Sequence, residues 1–171
     1  MNTHLKKLSF ALLGLALAGA AQATTVPVNS TIDLTTPATK TVFAVNPAFG
    51  SASSSIYYQL GLSSAGTSNV NIDYFGTLPN TSNHPNQPVT YTIWTETGSS
   101  GGQATLGTQV GTTTLSPSST SWLMSLAAGA EYILEVVLNS TTQGTAFNIS
   151  DPVSPVPLPG TALLFGTALL G

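Results

Sequence analysis

Apolar and polar residues alternate with a period of two through most of the chain between about residues 25 and 150. Val70, Ile72 and Tyr74 are interleaved with Asn69, Asn71 and Asp73. Val89, Tyr91 and Ile93 alternate with Thr90, Thr92 and Trp94. In the most apolar stretch Tyr132, Leu134, Val136 and Leu138 share one parity, and Ile133, Glu135 and Val137 the other. Successive side chains on a strand point to opposite faces, so each pattern predicts a strand with one buried face. No stretch in this region repeats apolar residues at helical spacing. Further strands are expected over 30–35, 39–45, 55–62, 108–115, 120–126 and 145–150, where β-branched and aromatic residues sit between Gly, Ser, Asn and Pro clusters. About nine short strands at close intervals suit a two-layer sandwich or a jelly roll. The longest expected loop is 76–88, and the most flexible is the Gly-Ser-Ser-Gly-Gly run at 98–102.

One spacing narrows the fold. From Leu126 to Val136 the chain reads L-x-x-G-x-x-Y-x-L-x-V. This resembles the tyrosine corner of fibronectin-type and other immunoglobulin-like sandwiches, in which a Tyr at the start of a strand bonds back to upstream backbone. The resemblance implies that Gly129 makes the turn, Leu126 plugs the core and Tyr132 supplies the hydroxyl. The expected fold is all-β: a single Ig-like or jelly-roll-type antiparallel β-sandwich over 24–150. A signal helix would precede it and a short apolar helix follow it.

The two ends read as addresses. Residues 1–23 carry Lys6 and Lys7, then a largely apolar run of 13 residues from Leu8 to Ala20, then Ala21-Gln22-Ala23. Small residues at Ala21 and Ala23 predict signal-peptidase cleavage before Thr24, after export through the Sec machinery. Residues 151–159 form a Pro-rich linker ending in Val156-Pro157-Leu158-Pro159, and 160–171 is an uncharged Gly/Ala/Leu run. Those 12 residues span about 18 Å as a helix, against a hydrocarbon core of about 30 Å. The Val-Pro-Leu-Pro motif and its apolar run resemble a PEP-CTERM sorting signal, with Leu158 where the family most often has Glu. The sequence stops short of the second half of the helix and the Arg cluster that complete such signals. The W-x-x-S-L-A-A-G segment from Trp122, followed by Y-x-L-x-V from Tyr132, is likewise similar to the bodies of PEP-CTERM proteins. The resemblance implies a Gram-negative host that makes exopolysaccharide. It also implies transient anchoring in the inner membrane, processing by an exosortase-like protease, and a place at the cell surface or in extracellular matrix.

Composition removes whole classes of function. Charged residues make up 5% of the 171, against about 25% in an average domain, while 26 Thr and 20 Ser supply neutral hydroxyls. Lys6, Lys7 and Lys40 are the only cations apart from histidine, which leaves no electrostatic footprint for nucleic acid. Without Cys there is no disulfide, thiolate zinc site or thiol nucleophile. His84, in an Asn-His-Pro loop without a Gly-x-Ser-x-Gly elbow, carries no triad signature. Glu131 and Glu135 lie about 13 Å apart on a strand, too far for paired glycosidase carboxylates. No catalytic residue, cofactor or metal site is therefore expected, although Asn69, Asn71 and Asp73 line one polar face with Asn80 and Asn83 in the following loop. The four N-x-[ST] sequons, at Asn29, Asn80, Asn139 and Asn148, are what a chain so rich in hydroxyls produces by chance.

Sugar contact is the chemistry the residues best allow. If Val89, Tyr91 and Ile93 are core, Trp94 points outward, although core packing is the default expectation for Trp94 as for Trp122; one of the adjacent Tyr57 and Tyr58 should face out. The leading expectation is an exported, non-enzymatic surface or matrix protein associated with exopolysaccharide. A secreted carbohydrate-binding module or carbohydrate-active enzyme, and a self-associating matrix subunit, are the alternatives.

Overall fold

A computed structural model describes residues 23–35, 39–62, 66–78 and 85–151. The signal segment up to Gln22, the Val156–Pro159 motif, His84 and the two terminal helices expected from the sequence lie outside the described residues.

Nine strands follow one another in the chain: β1 (Thr25–Asp33), β2 (Lys40–Val45), β3 (Ser54–Gly61), β4 (Ser68–Leu78), β5 (Val89–Ser100), β6 (Gln103–Leu115), β7 (Ser121–Leu126), β8 (Tyr132–Leu138) and β9 (Gly144–Ser150). They form two sheets. One has the order β2-β9-β4-β7, and the other runs β1-β3-β8-β5-β6 and closes on itself. Closure depends on β1 changing partners. Thr25–Pro27 pair antiparallel with Gln103–Thr105 of β6, and Val28–Asp33 then run parallel to Tyr57–Gly61 of β3. An entirely antiparallel arrangement is thus corrected by one parallel pair. Parallel neighbours need a crossover connection, and β2, which belongs to the other sheet, lies within it.

The alternating apolar residues meet between the sheets. Val70, Ile72 and Tyr74 of β4 and Phe147 and Ile149 of β9 face Val89, Tyr91 and Ile93 of β5 and the Tyr132, Leu134, Val136 and Leu138 row of β8. Phe147 sits at the centre, with its ring edge-on to Tyr91 at 5.3 Å and 73° and to Tyr58 at 6.4 Å and 76°. Such T-shaped contacts align ring edges with ring faces. Trp122 and Met124 of β7 are half-buried and pack against this core. Opposite them Gly111 of β6 carries no side chain, which leaves the space that Met124 and the Trp122 ring fill.

Two strands are longer than the hydrophobic pattern indicates. β5 and β6 continue past the core as a hairpin whose ladder runs through Gly98↔Thr105 and Ser99↔Ala104 to Ser100↔Gln103. The flexible loop expected at 98–102 is therefore reduced to Gly101 and Gly102, with φ of 60° and 77°. Two successive left-handed residues match the twist of a tight hairpin.

Candidate functional site

The five-stranded sheet turns its second face away from the inter-sheet core. Cross-strand register builds a site there from three strands far apart in sequence. Tyr57 of β3 lies opposite Glu135 of β8, which lies opposite Thr92 of β5. One step along, Gln59 lies opposite Ile133 and Ile133 opposite Trp94. Glu135 is consequently flanked by two aromatic side chains. The Trp94 indole Nε1 donates to Glu135 Oε2 at 2.9 Å, and the Tyr57 hydroxyl donates to Glu135 Oε1 at 3.1 Å. A carboxylate with both oxygens engaged by ring donors locks both rings in place. Burial pushes the Tyr57 phenol above its ordinary value; Ser55 opposes this, and the Glu135 charge adds to it.

Beside this trio lies a cleft of about 510 Å³, lined also by Thr24, Leu106, Gly107 and Thr108. The register of β5 against β6 shifts around Trp94 and Glu96, which bends this part of the hairpin at the cleft. Ala23 and Thr24, on either side of the expected signal-peptidase cut, are at its edge, and the Thr24 carbonyl accepts from Leu106 N–H at 2.9 Å. Under the sheet's curl, Ile133, Val26 and Ala104 are buried apart from the main core.

The sequence-derived candidates separate here. Trp94 and Tyr57 come together at Glu135. Tyr58, expected as an alternative glycan contact, is instead a core residue at 2% exposure, and its hydroxyl donates to the Phe43 carbonyl at 3.3 Å. It shares parity with Ile56 and Leu60 and points to the apolar side, which sends its neighbour Tyr57 to the cleft. No local signal in the sequence marks Glu135 as the meeting point of two rings. At the β7–β8 corner Leu126 is buried and Gly129 has a φ of 75°. The Tyr132 hydroxyl donates to the Ala127 carbonyl at 3.3 Å and accepts from Ala127 N–H at 3.1 Å.

The polar face of β4 is already hydrogen-bonded within itself. Ser125 Oγ donates to Asn69 Oδ1 at 2.7 Å, Ser121 Oγ to Asn71 Oδ1 at 3.0 Å, and Asn71 Nδ2 to Asp73 Oδ2 at 2.9 Å. Among the described residues no three His, Asp or Glu side chains gather as a metal site requires.

No protein-family model matches the chain, and no curated protein matches it significantly. Among solved structures it is similar to PliG of Aeromonas hydrophila, a periplasmic inhibitor of g-type lysozyme. The identity is 13%, the TM-score is 0.41, and the match covers 72% of this chain and 96% of that one.

Proposed function

We propose that this is an exported, non-enzymatic protein of the cell surface or extracellular matrix, with an Ig-like sandwich body that associates with exopolysaccharide. The observation that carries the reading is the Trp94–Glu135–Tyr57 cluster beside its cleft. Aromatic rings held rigid next to hydroxyl- and carboxylate-bearing walls provide apolar faces for pyranose rings and bonding partners for their hydroxyls. Export by the Sec machinery and signal peptidase follows from the pattern of residues 1–23, and handling by an exosortase-like protease from the PEP-CTERM resemblance of the C-terminal end.

Binding fits this face better than hydrolysis. Glu96 and Glu135 are its two carboxylates bonded to neighbouring side chains, through Gln59 and through Trp94 with Tyr57 respectively. Glu135 lies opposite Thr92, four residues before Glu96. That offset corresponds to about 13 Å of strand, outside the separations used by retaining or inverting glycosidases. Glycan arrays and polysaccharide pull-downs with the wild type and Trp94→Ala test the reading. Binding that falls by about tenfold, 1.4 kcal/mol, in the variant is expected. Absence of binding by both proteins refutes it.

A second reading rests on the outer face of the four-stranded sheet. Phe43 and Val45 of β2 and Phe75 and Leu78 of β4 are 66%, 65%, 58% and 54% exposed. Among the described strands β2 pairs with β9 alone, so its other edge has no strand beside it. A second copy of the chain is the partner this reading names. Sedimentation showing a monomer at all concentrations would refute it.

A further inference from the structure

On the same concave face, two residues beyond Trp94, Glu96 carries a carboxylate whose needs are half met. Its backbone N–H donates to the Glu131 carbonyl at 2.8 Å, which fixes the strand. Its Oε2 accepts from Gln59 Nε2 at 2.9 Å, and Gln59 Oε1 in turn accepts from the Thr31 hydroxyl at 3.2 Å. Its Oε1 is closed off from solvent and has no hydrogen-bond partner among the described residues. No cationic side chain among the described residues is on this sheet. Lys40, the one lysine among the described residues, is on β2 of the other sheet, while Glu131 and Glu135 share this one. A half-buried carboxylate bonded by one neutral amide, on a sheet that also carries Glu135, has one shielded oxygen without a donor and no cationic side chain beside it.

A second cleft, of about 460 Å³, opens beside it, and its walls include Ser30, Thr31, Ser99 and Gln103. These walls present hydroxyl and amide groups and no charge besides Glu96. We infer that Glu96 anchors a subsite for an amino-sugar unit: the protonated amine meets the carboxylate and the ring hydroxyls meet the cleft walls. This deepens the glycan-binding reading and rests on it. A neutral hydroxyl would satisfy Oε1 but leave the charge uncompensated, whereas an ammonium does both, and such charge-assisted bonds are about twice as strong. Turning the carboxylate about χ3, a torsion with a broad, shallow profile, toward the cleft exchanges its Gln59 bond for one to the ligand. Trp94 and Glu96 are about 7 Å apart along one strand, so a single oligosaccharide spans the aromatic cluster and the carboxylate.

Isothermal titration of the exported protein at about pH 5.5, where amines are protonated, tests this. The probes are chito-oligosaccharides of one length, N-acetylated and de-N-acetylated, with ethanolamine as an amine lacking the sugar ring. The expected result is at least about tenfold tighter binding of the de-N-acetylated oligomer. The preference should vanish in Glu96→Gln, persist in Glu131→Gln, and give way in Trp94→Ala to weaker binding of both oligomers. Should Glu96→Gln not fold, Glu96→Asp, which shortens the reach but keeps the charge, is expected to reduce the preference. Equal binding of the two oligomers overturns the inference, as does a preference that survives loss of Glu96 or that ethanolamine matches. Trp94-dependent binding without any preference removes the subsite alone; no binding of any oligomer removes the glycan reading itself.

Discussion

Tyr91 and Tyr132 are both buried phenols in one core, at 0% and 4% exposure, yet their hydroxyls are in opposite situations. The Tyr132 hydroxyl donates to and accepts from the Ala127 backbone. The Tyr91 hydroxyl has no hydrogen-bond partner among the described residues. Burial pushes the Tyr91 phenol well above its ordinary 10.0, against a smaller opposing influence from Thr145. The Thr145 hydroxyl donates to the Gly76 carbonyl at 2.9 Å and makes no hydrogen bond to the Tyr91 hydroxyl. Replacing each Tyr by Phe removes one oxygen and almost no volume. Tyr132→Phe loses two bonds of moderate length at an exposed backbone unit that water can reach, so the loss is about 1–1.5 kcal/mol. Tyr91→Phe removes a group that was desolvated without compensation, so the protein should gain about 1 kcal/mol. The two variants should therefore differ by about 2 kcal/mol, or several degrees in melting temperature for a domain of this size. Urea unfolding at constant m separates them cleanly. If Tyr91→Phe is less stable than the wild type, or if both variants shift in the same direction by the same amount, the hydroxyl assignment in the core is wrong.

Three further outcomes follow from other parts of the molecule. Asp33 Oδ1 accepts from Thr35 Oγ1 at 2.6 Å and Thr35 N–H at 2.9 Å, and these bonds, the side-chain one foremost, hold its carboxyl below the ordinary 3.8. Because the folded value is depressed, the stabilisation is complete above 3.8 and is lost as pH falls through the folded value. An NMR titration should show the Asp33 midpoint rising in Thr35→Val, and an unmoved midpoint would contradict the assignment. A Cβ on Gly144 would lie 2.8 Å from the Ala44 carbonyl oxygen of the paired strand, whereas one on Gly98 meets nothing. Gly144→Ala should cost about 1–3 kcal/mol in chemical unfolding while Gly98→Ala stays near wild type; equal effects would refute the close-approach argument. Cleavage before Thr24, expected from the sequence, would leave an α-ammonium beside the Trp94 cleft, charged at neutral pH. Protein with extra residues ahead of Thr24 should then bind polysaccharide differently from protein with the authentic terminus, and identical binding would exclude a role for that ammonium.

What could be read from the chain alone was whatever the inter-sheet core enforces. Val70, Ile72, Tyr74 and the Tyr132–Leu138 row alternate because one face is buried and the other is not, and they are buried as their parity requires. The parity of Ile56, Tyr58 and Leu60 carried the same message. It assigns Tyr58 to the core, and weighing it over the whole strand would have chosen Tyr57 for the surface. The distal halves of β5 and β6 left no such trace. Thr95–Ser100 is polar on both parities and Gln103–Thr108 offers only Ala104 and Leu106 as apolar positions, so their pattern hardly distinguishes a paired hairpin from a loop. Pro27 masked the start of β1, since proline argues against a central strand, yet it sits where that strand leaves β6 for β3.

The candidate site was harder to read for a related reason. Strand parity can place Trp94, Tyr57 and Glu135 on one face, but a position on a face says nothing about neighbours. Their convergence depends on β8 lying between β3 and β5, an order that the chain reaches only after β4, β6 and β7 have been placed elsewhere. The same order brings Gln59 to Glu96 across 37 residues and Trp94 to Glu135 across 41. Local pattern therefore predicts the core and is silent about the site, because burial is a property of each strand and the site is a property of their register. A one-residue slip of β8 would turn Glu135 into the core and leave both rings without their acceptor. The apolar Tyr132, Leu134, Val136 and Leu138 row forbids that slip. The residues that make this protein fold are thus the ones that hold its cleft in register.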